Sequence, residues 1–255
     1  TGTRTSPVTL KSSGLIVPFG LNGDSYFSGE PEMIVEHFRQ SGAASSNLFV
    51  RDMSNMLRQS IDTTDELSSI LAAATAGNSV RIEGNSLAES LGLVADIIQQ
   101  NSMLGASRQV FFVSTGGFDT HSDLSTTLPF LQAGYADAIR NFDDAMVSIG
   151  LGNAVTTFTA SDFGRRLIPN SSGTDHGWGG HHFVVGGAVR GRRIFGDLPE
   201  PVEGHDQDRG KGILIPNVSV EQYASPMGKW FGLNDGELAN VFPNYGNFDH
   251  DIALF

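Results

Sequence analysis

Two short apolar runs, with a long amphipathic segment between them, restrict this chain more than any other feature. "QVFFVST" (109–115) is apolar at successive positions, rich in β-formers and bounded by Gly116-Gly117. Such a run reads as a strand buried on both faces. "TTLPFLQAGYADAIRNFDDAMVSIG" follows, with Leu128, Leu131, Tyr135, Ile139, Phe142, Met146 and Ile149 on one helical face and Pro129 fitting its first turn. "AVTTFTA" (154–160) is a second strand-like run, and "HFVVGGAV" a third. Strand, helix, strand at this spacing predicts a βαβ unit. Val110–Ser114 and Val155–Thr159 are then parallel neighbours in a central sheet that also takes in Phe183–Val185. The expected class is α/β.

The rest of the chain divides by grammar. Residues 1 to about 28 read as loops with one short extended piece, "GLIVPF". From about Glu30 to Gln100 the period is helical. Leu48, Phe49, Val50, Met53, Met56 and Leu57 make one face, and Leu87, Leu91, Val94, Ile97 and Ile98 another, behind a capping box of Ser86 and Glu89. Val220 to Phe231 is a further helix with Tyr223, Met227 and Trp230 on one side. The aromatic and Met positions of these helices are expected in the core. The expected organisation is a helical and loop region, 1–104, packing on an α/β portion, 105–255.

Charge and cysteine content narrow the function. The net charge of −12 argues against nucleic-acid partners, where clustered Lys and Arg dominate affinity, and against an anionic membrane surface. No apolar run approaches the roughly 20 residues that span a bilayer. With no cysteine, thiolate metal sites and a Cys nucleophile are excluded. The opening "TGTRTSPVTLKSSG" has no apolar signal core, and residue 1 is Thr, so a lost upstream segment is expected.

In open α/β sheets, ligands sit beyond the carboxyl ends of the strands. The first strand runs into "GGFDTH", with Asp119 and His121, and the second into "SDFGRR", with Asp162, Arg165 and Arg166. Just beyond lies "NSSGTDHGWGGHHF" (170–183), which holds three of the chain's seven histidines. Carboxylate and imidazole on adjacent loops suit zinc, manganese or a similar ion. Each motif also has a plain structural reading. Asp119 could cap the next segment, Asp162 could pair with Arg165 or Arg166, and His181-His182 could be solvent groups before a strand. Convergence at one edge distinguishes the two.

In order, "GGFDTH", "SDFGRR", "GTDHGWGG", "VVGGAVRGRRIFGDLP" and "YASPMGKWFG" resemble domain-of-unknown-function family 1501, bacterial proteins exported by the twin-arginine route. That family is placed in the alkaline phosphatase and sulfatase superfamily. The resemblance covers roughly residues 105 to 235; residues 1 to 100 match in style only. It implies an alkaline-phosphatase-like α/β/α sandwich with a mainly parallel sheet, whose N-terminal part is missing from this chain. It also implies one or two divalent ions (zinc, manganese or calcium) and hydrolysis of anionic phosphate or sulfate esters in the periplasm or outside the cell.

Carried over by position, Asp119, His121, Asp162 and His176 are the metal ligands. Asp175, His181 and His182 are supporting groups or rival ligands, and Arg165 and Arg166 a substrate clamp. A second register would place Asp175-His176 on the superfamily's Asp-His pair. Phe163 stands where the superfamily often has His, which bears on the second ion. If one of His181 and His182 faces the site, the other faces away, and Asp175 orients an imidazole or an Arg. The nucleophile segment does not occur here, so the missing N-terminal part as a separate chain is an expected partner. The alternative is a non-catalytic exported surface-assembly or glycan-binding protein on a degenerate hydrolase fold.

Overall fold

A computed structural model describes residues 6–10, 15–19, 36–37, 40, 45–105, 107–250 and 252–255. The fold is mixed α and β. The chain divides into two compact units, one of Thr1–Thr115 with Gly134–Ile149, the other of Gly116–Ala133 with Gly150–Phe255. The change of unit falls at 115/116, and the first unit also takes in residues 134–149.

In the first unit, β1 (Ser6–Leu10) and β2 (Leu15–Phe19) pair antiparallel, and β2 is the extended piece expected there. Ser6–Leu10, read from sequence as loop, is the partner strand instead, and the remainder of the 1–28 reading lies outside the described residues. Helix α1 runs Leu48–Leu71, capped by Asn47, whose side chain accepts from the backbone N–H of Phe49 and Val50. Helix α2 (Ser86–Gln99) begins one residue earlier than a Ser86 cap implies. Asn85 is the N-cap, accepting from the N–H of Ala88, while Glu89 lies 3.8 Å from Arg81. Asn85 has the advantage of an amide that also donates to the Gly134 carbonyl at 2.7 Å. The whole predicted face Leu87, Leu91, Val94, Ile97 and Ile98 is buried. Leu67, Leu93 and Ile97 form a cluster against which Leu71, Leu104 and Phe111 pack.

A 3-10 turn, Ala76–Ser79, is docked on α2 by carboxylate and amide acceptors. Asp96 accepts from the Gly77 N–H at 2.7 Å and pairs with Arg81 at 2.6 Å; Gln99 takes the N–H of Thr75 and Ala76. Gly77 must be small here, because a Cβ would stand 2.2 Å from the Gly92 carbonyl oxygen.

Two further sequence expectations fail in this unit. Leu48, Phe49, Val50, Met53 and Met56 are exposed rather than core, and the side chain of Leu57 lies outside the described set. Periodicity marks a face as apolar but does not supply the element that covers it. Likewise 109–115 is not a strand: only Phe111 makes a bridge, and Val110 and Phe112 are exposed at 61% and 68%. Phe111 turns onto the helical cluster while its neighbours turn away, so the segment is extended with one face covered. After the four-residue helix α3 (Asn101–Leu104), Gly105 at φ 60 reverses the chain.

Helix α4 runs Leu124–Ser148, so it starts earlier than Pro129 suggested and Pro129 lies inside it. Its Ala138, Phe142, Ala145 and Met146 are buried.

The second unit is built on antiparallel pairs. β3 (Thr157–Phe158) pairs with β6 (Val184–Val185), and backbone bonds from Thr159 N–H to Phe183 O and from Gly187 N–H to Gly152 O extend the contact. The expected parallel pairing of Val110–Ser114 with Val155–Thr159 is therefore replaced. The described strands form three two-stranded antiparallel sheets, and a parallel alkaline-phosphatase-like sheet is not among them. β4 (Gly164–Asn170) and β5 (Gly173–Gly177) form a hairpin closed by Ser171-Ser172, with Ser171 at φ 78. So "GTDHG", expected as a loop over strand ends, is itself a strand, and "FGRR" enters its partner.

Helix α5 (Val220–Phe231) matches its predicted span and carries a full capping box of Ser219 and Gln222. Helix α6 (Asp235–Val241) follows. Met227, Leu238, Leu214 and Leu254 are the buried apolar residues of this unit. No helix among the described residues is long and apolar enough to cross a membrane.

Candidate metal centre

The centre forms where the 116–123 loop crosses the β4–β5 hairpin. Thr174 N–H donates to the Thr120 carbonyl at 3.2 Å, Leu124 N–H to the Ser172 carbonyl at 2.9 Å, and Asp123 N–H to the Ser172 hydroxyl at 3.0 Å. The loop thus lies along the start of β5. A tight turn, His121 N–H to Asp119 O at 3.1 Å, brings the Asp119 and His121 side chains together two positions apart.

In the hairpin, Arg165 is the cross-strand partner of His176, so both project on one face, with Arg166 and Asp175 on the other. Oδ1 of Asp119 collects the first face. Nε2 of His176 donates to it at 2.8 Å, Nε2 of His121 lies at 3.0 Å, and Nη2 of Arg165 donates at 2.6 Å. Arg165 also donates through Nη2 to the Phe118 carbonyl at 3.0 Å and through Nη1 to the Thr174 carbonyl. It ties the loop to the hairpin. Phe163 stacks on His176 with centroids 3.9 Å apart and planes at 4°.

On the other face, Asp175 pairs with Arg166, accepts from Asn170 Nδ2, and lies 3.5 Å from Nδ1 of His121. It therefore sits beside both an imidazole and an Arg. The hydrogen bond from His176, with the neighbouring His121 and Arg165 charges, holds the Asp119 carboxyl below its ordinary pKa.

Of the expected ligands, Asp119, His121 and His176 come together, each offering a ligand atom within 4.8 Å of the others. Asp162 is exposed, precedes the Gly164 start of β4 and lies outside that group. His181 is exposed and also outside it. His182 faces elsewhere, with Nδ1 3.2 Å from the Thr159 hydroxyl and its ring 5.5 Å from Tyr223; burial and His181 push its pKa down. Arg165 and Arg166, expected to clamp substrate, pair with Asp119 and Asp175.

A donor set of two imidazoles and one carboxylate fits a divalent transition ion, and fits calcium poorly, since calcium takes oxygen ligands. Ligand atoms around one tetrahedral zinc stand about 3.3 Å apart, so the observed 2.8 and 3.0 Å separations need only a small expansion. The three side chains are 48–56% exposed.

Sequence reasoning missed the tethering role of Arg165, the stacking of Phe163 and the need for Gly173. The signal was "NSSG", a turn cluster between two extended runs, which reads as a hairpin. A Cβ on Gly173 would stand 2.2 Å from the His121 carbonyl carbon and 2.4 Å from the Thr120 oxygen. Gly173→Ala should therefore push the loop off the strand, lowering stability by about 1–3 kcal/mol and weakening metal binding. Denaturant melts with a metal titration check this; unchanged values in both would show that the close approach is not needed.

The profile of the family described as "Protein of unknown function (DUF1501)" matches residues 36–233, most of the chain, and the chain belongs to that family. No curated protein and no solved structure matches it.

Proposed function

We propose that this member of the family of unknown function is a metal-dependent hydrolase of phosphate or sulfate esters, working in the periplasm or outside the cell. One observation carries the reading: Asp119, His121 and His176 converge on an open face, with supporting groups that fix each of them. Arg165 holds the Asp119 carboxylate, Phe163 sets the plane of the His176 ring, and Asp175 lies at the far nitrogen of His121. Carboxylates placed behind ligand imidazoles orient them and raise their basicity.

A divalent ion held there supplies Lewis acidity, neutralising ester oxyanions and acidifying a hydroxyl nucleophile. The chain's own contribution is to hold the donors together before the ion arrives, which lowers the ordering cost of binding. Resemblance to the alkaline phosphatase and sulfatase superfamily supports the ester class.

The test is turnover of p-nitrophenyl phosphate and p-nitrophenyl sulfate by the purified protein with added Zn²⁺ or Mn²⁺. Metal-dependent release of p-nitrophenol, lost on chelation, is expected. Bound metal without turnover of either ester would favour the non-catalytic surface-assembly or glycan-binding reading. That reading gains from Arg165 and Arg166 being engaged within the chain.

A further inference from the structure

We infer that the centre takes one divalent ion, and that the Arg165 guanidinium stands on Asp119 as a fixed second positive charge. The inference rests on the metal reading above. In two-metal sites the ions lie about 3.5–4 Å apart and share ligands between them. Here a cation of the chain already stands on the carboxylate at the centre. Nη2 of Arg165 is 2.6 Å from the same Asp119 oxygen that the two histidines approach. The guanidinium is not free to swing away, because the Phe118 and Thr174 carbonyls hold its two Nη groups and its side chain is 21% exposed.

A second observation points the same way. The flank of His176 is covered by the Phe163 ring, which has no lone pair to offer, and the Arg165 guanidinium carbon lies 5.2 Å over that ring. A histidine at 163 would put ligand nitrogen there; phenylalanine puts a hydrocarbon face. The carboxylate one residue earlier, Asp162, stays outside the cluster. One mobile divalent ion and one immobile guanidinium would leave the site net positive toward an anionic ester. They would also divide the work: the ion is exchangeable and the guanidinium is not.

The test counts metal. Wild-type protein is equilibrated with excess Zn²⁺, passed through gel filtration and measured by elemental analysis, above the background of His176→Ala. One zinc per chain is expected. Two overturns the inference and leaves the metal reading standing, whereas none removes the metal reading itself.

Two double variants isolate the charge. Phe163→His with Arg165→Gln should rise to two zinc ions per chain, because a ligand replaces the ring and the fixed cation is gone. Phe163→His with Arg165→Lys should remain at one. Equal counts in the two variants, whether one or two, would show that the Arg165 charge does not set the stoichiometry. Circular dichroism confirms folding, and if either variant fails it, the wild-type count decides.

Discussion

His176→Ala should lose its divalent ion, with affinity for Zn²⁺ falling by at least about 100-fold. Loss of a group that merely supports a ligand already costs about 10–100-fold, and His176 is itself one of three donors. Its Nε2 lies 2.8 Å from Asp119, and its ring carries the stack with Phe163, so truncation removes a ligand and frees the neighbouring aromatic together. Competition against a chromophoric chelator measures the change. His182→Ala is the matched control, since His182 is engaged with Thr159 and Tyr223, and its affinity should match wild type. Undiminished binding in His176→Ala would sink the metal centre.

Asp96→Ala should destabilise the first unit by about 3 kcal/mol. The carboxylate is 6% exposed, accepts from the Gly77 N–H at 2.7 Å and pairs with Arg81 at 2.6 Å. Removing one member of a buried pair strands the other, and such losses run to about 3–5 kcal/mol. The low end applies because Arg81 is 27% exposed on its side chain and has Glu89 at 3.8 Å as a remaining partner. Asp96→Asn keeps an acceptor for Gly77 and should lose less. Urea melts of the three proteins give the ordering, and an Asp96→Ala loss below about 1 kcal/mol would contradict it.

The molecule shows which kinds of information a sequence holds locally. Helix α5 lies at its expected span, and the α2 face of Leu87, Leu91, Val94, Ile97 and Ile98 is buried as its spacing implies. Both depend on a period of 3.6 and on caps within a few residues, so neighbours along the chain decide them. The cap itself shifted from Ser86 to Asn85 because the distant Gly134 carbonyl gives Asn85 a second bond. Asp119 and His121 belong to the same local class, since a two-residue spacing and a tight turn suffice to aim both side chains together.

What the residues alone determined, then, is the helices, the family motifs and the chemical types at the centre. What tertiary structure decided is which apolar faces are covered and which donors meet. The run at 109–115 has the composition of a strand buried twice, yet Val110 and Phe112 stay exposed, because composition cannot summon a second partner. The site closes across 57 residues, between Asp119 and His176, and only the hairpin makes that possible. Cross-strand register puts Arg165 opposite His176, and the bare backbone of Gly173 admits the 119–121 loop. Asp162, whose motif looked equivalent in sequence, lies before the start of β4 and outside the group. Contacts between distant segments depend on register and close approach, which residue types permit but do not specify.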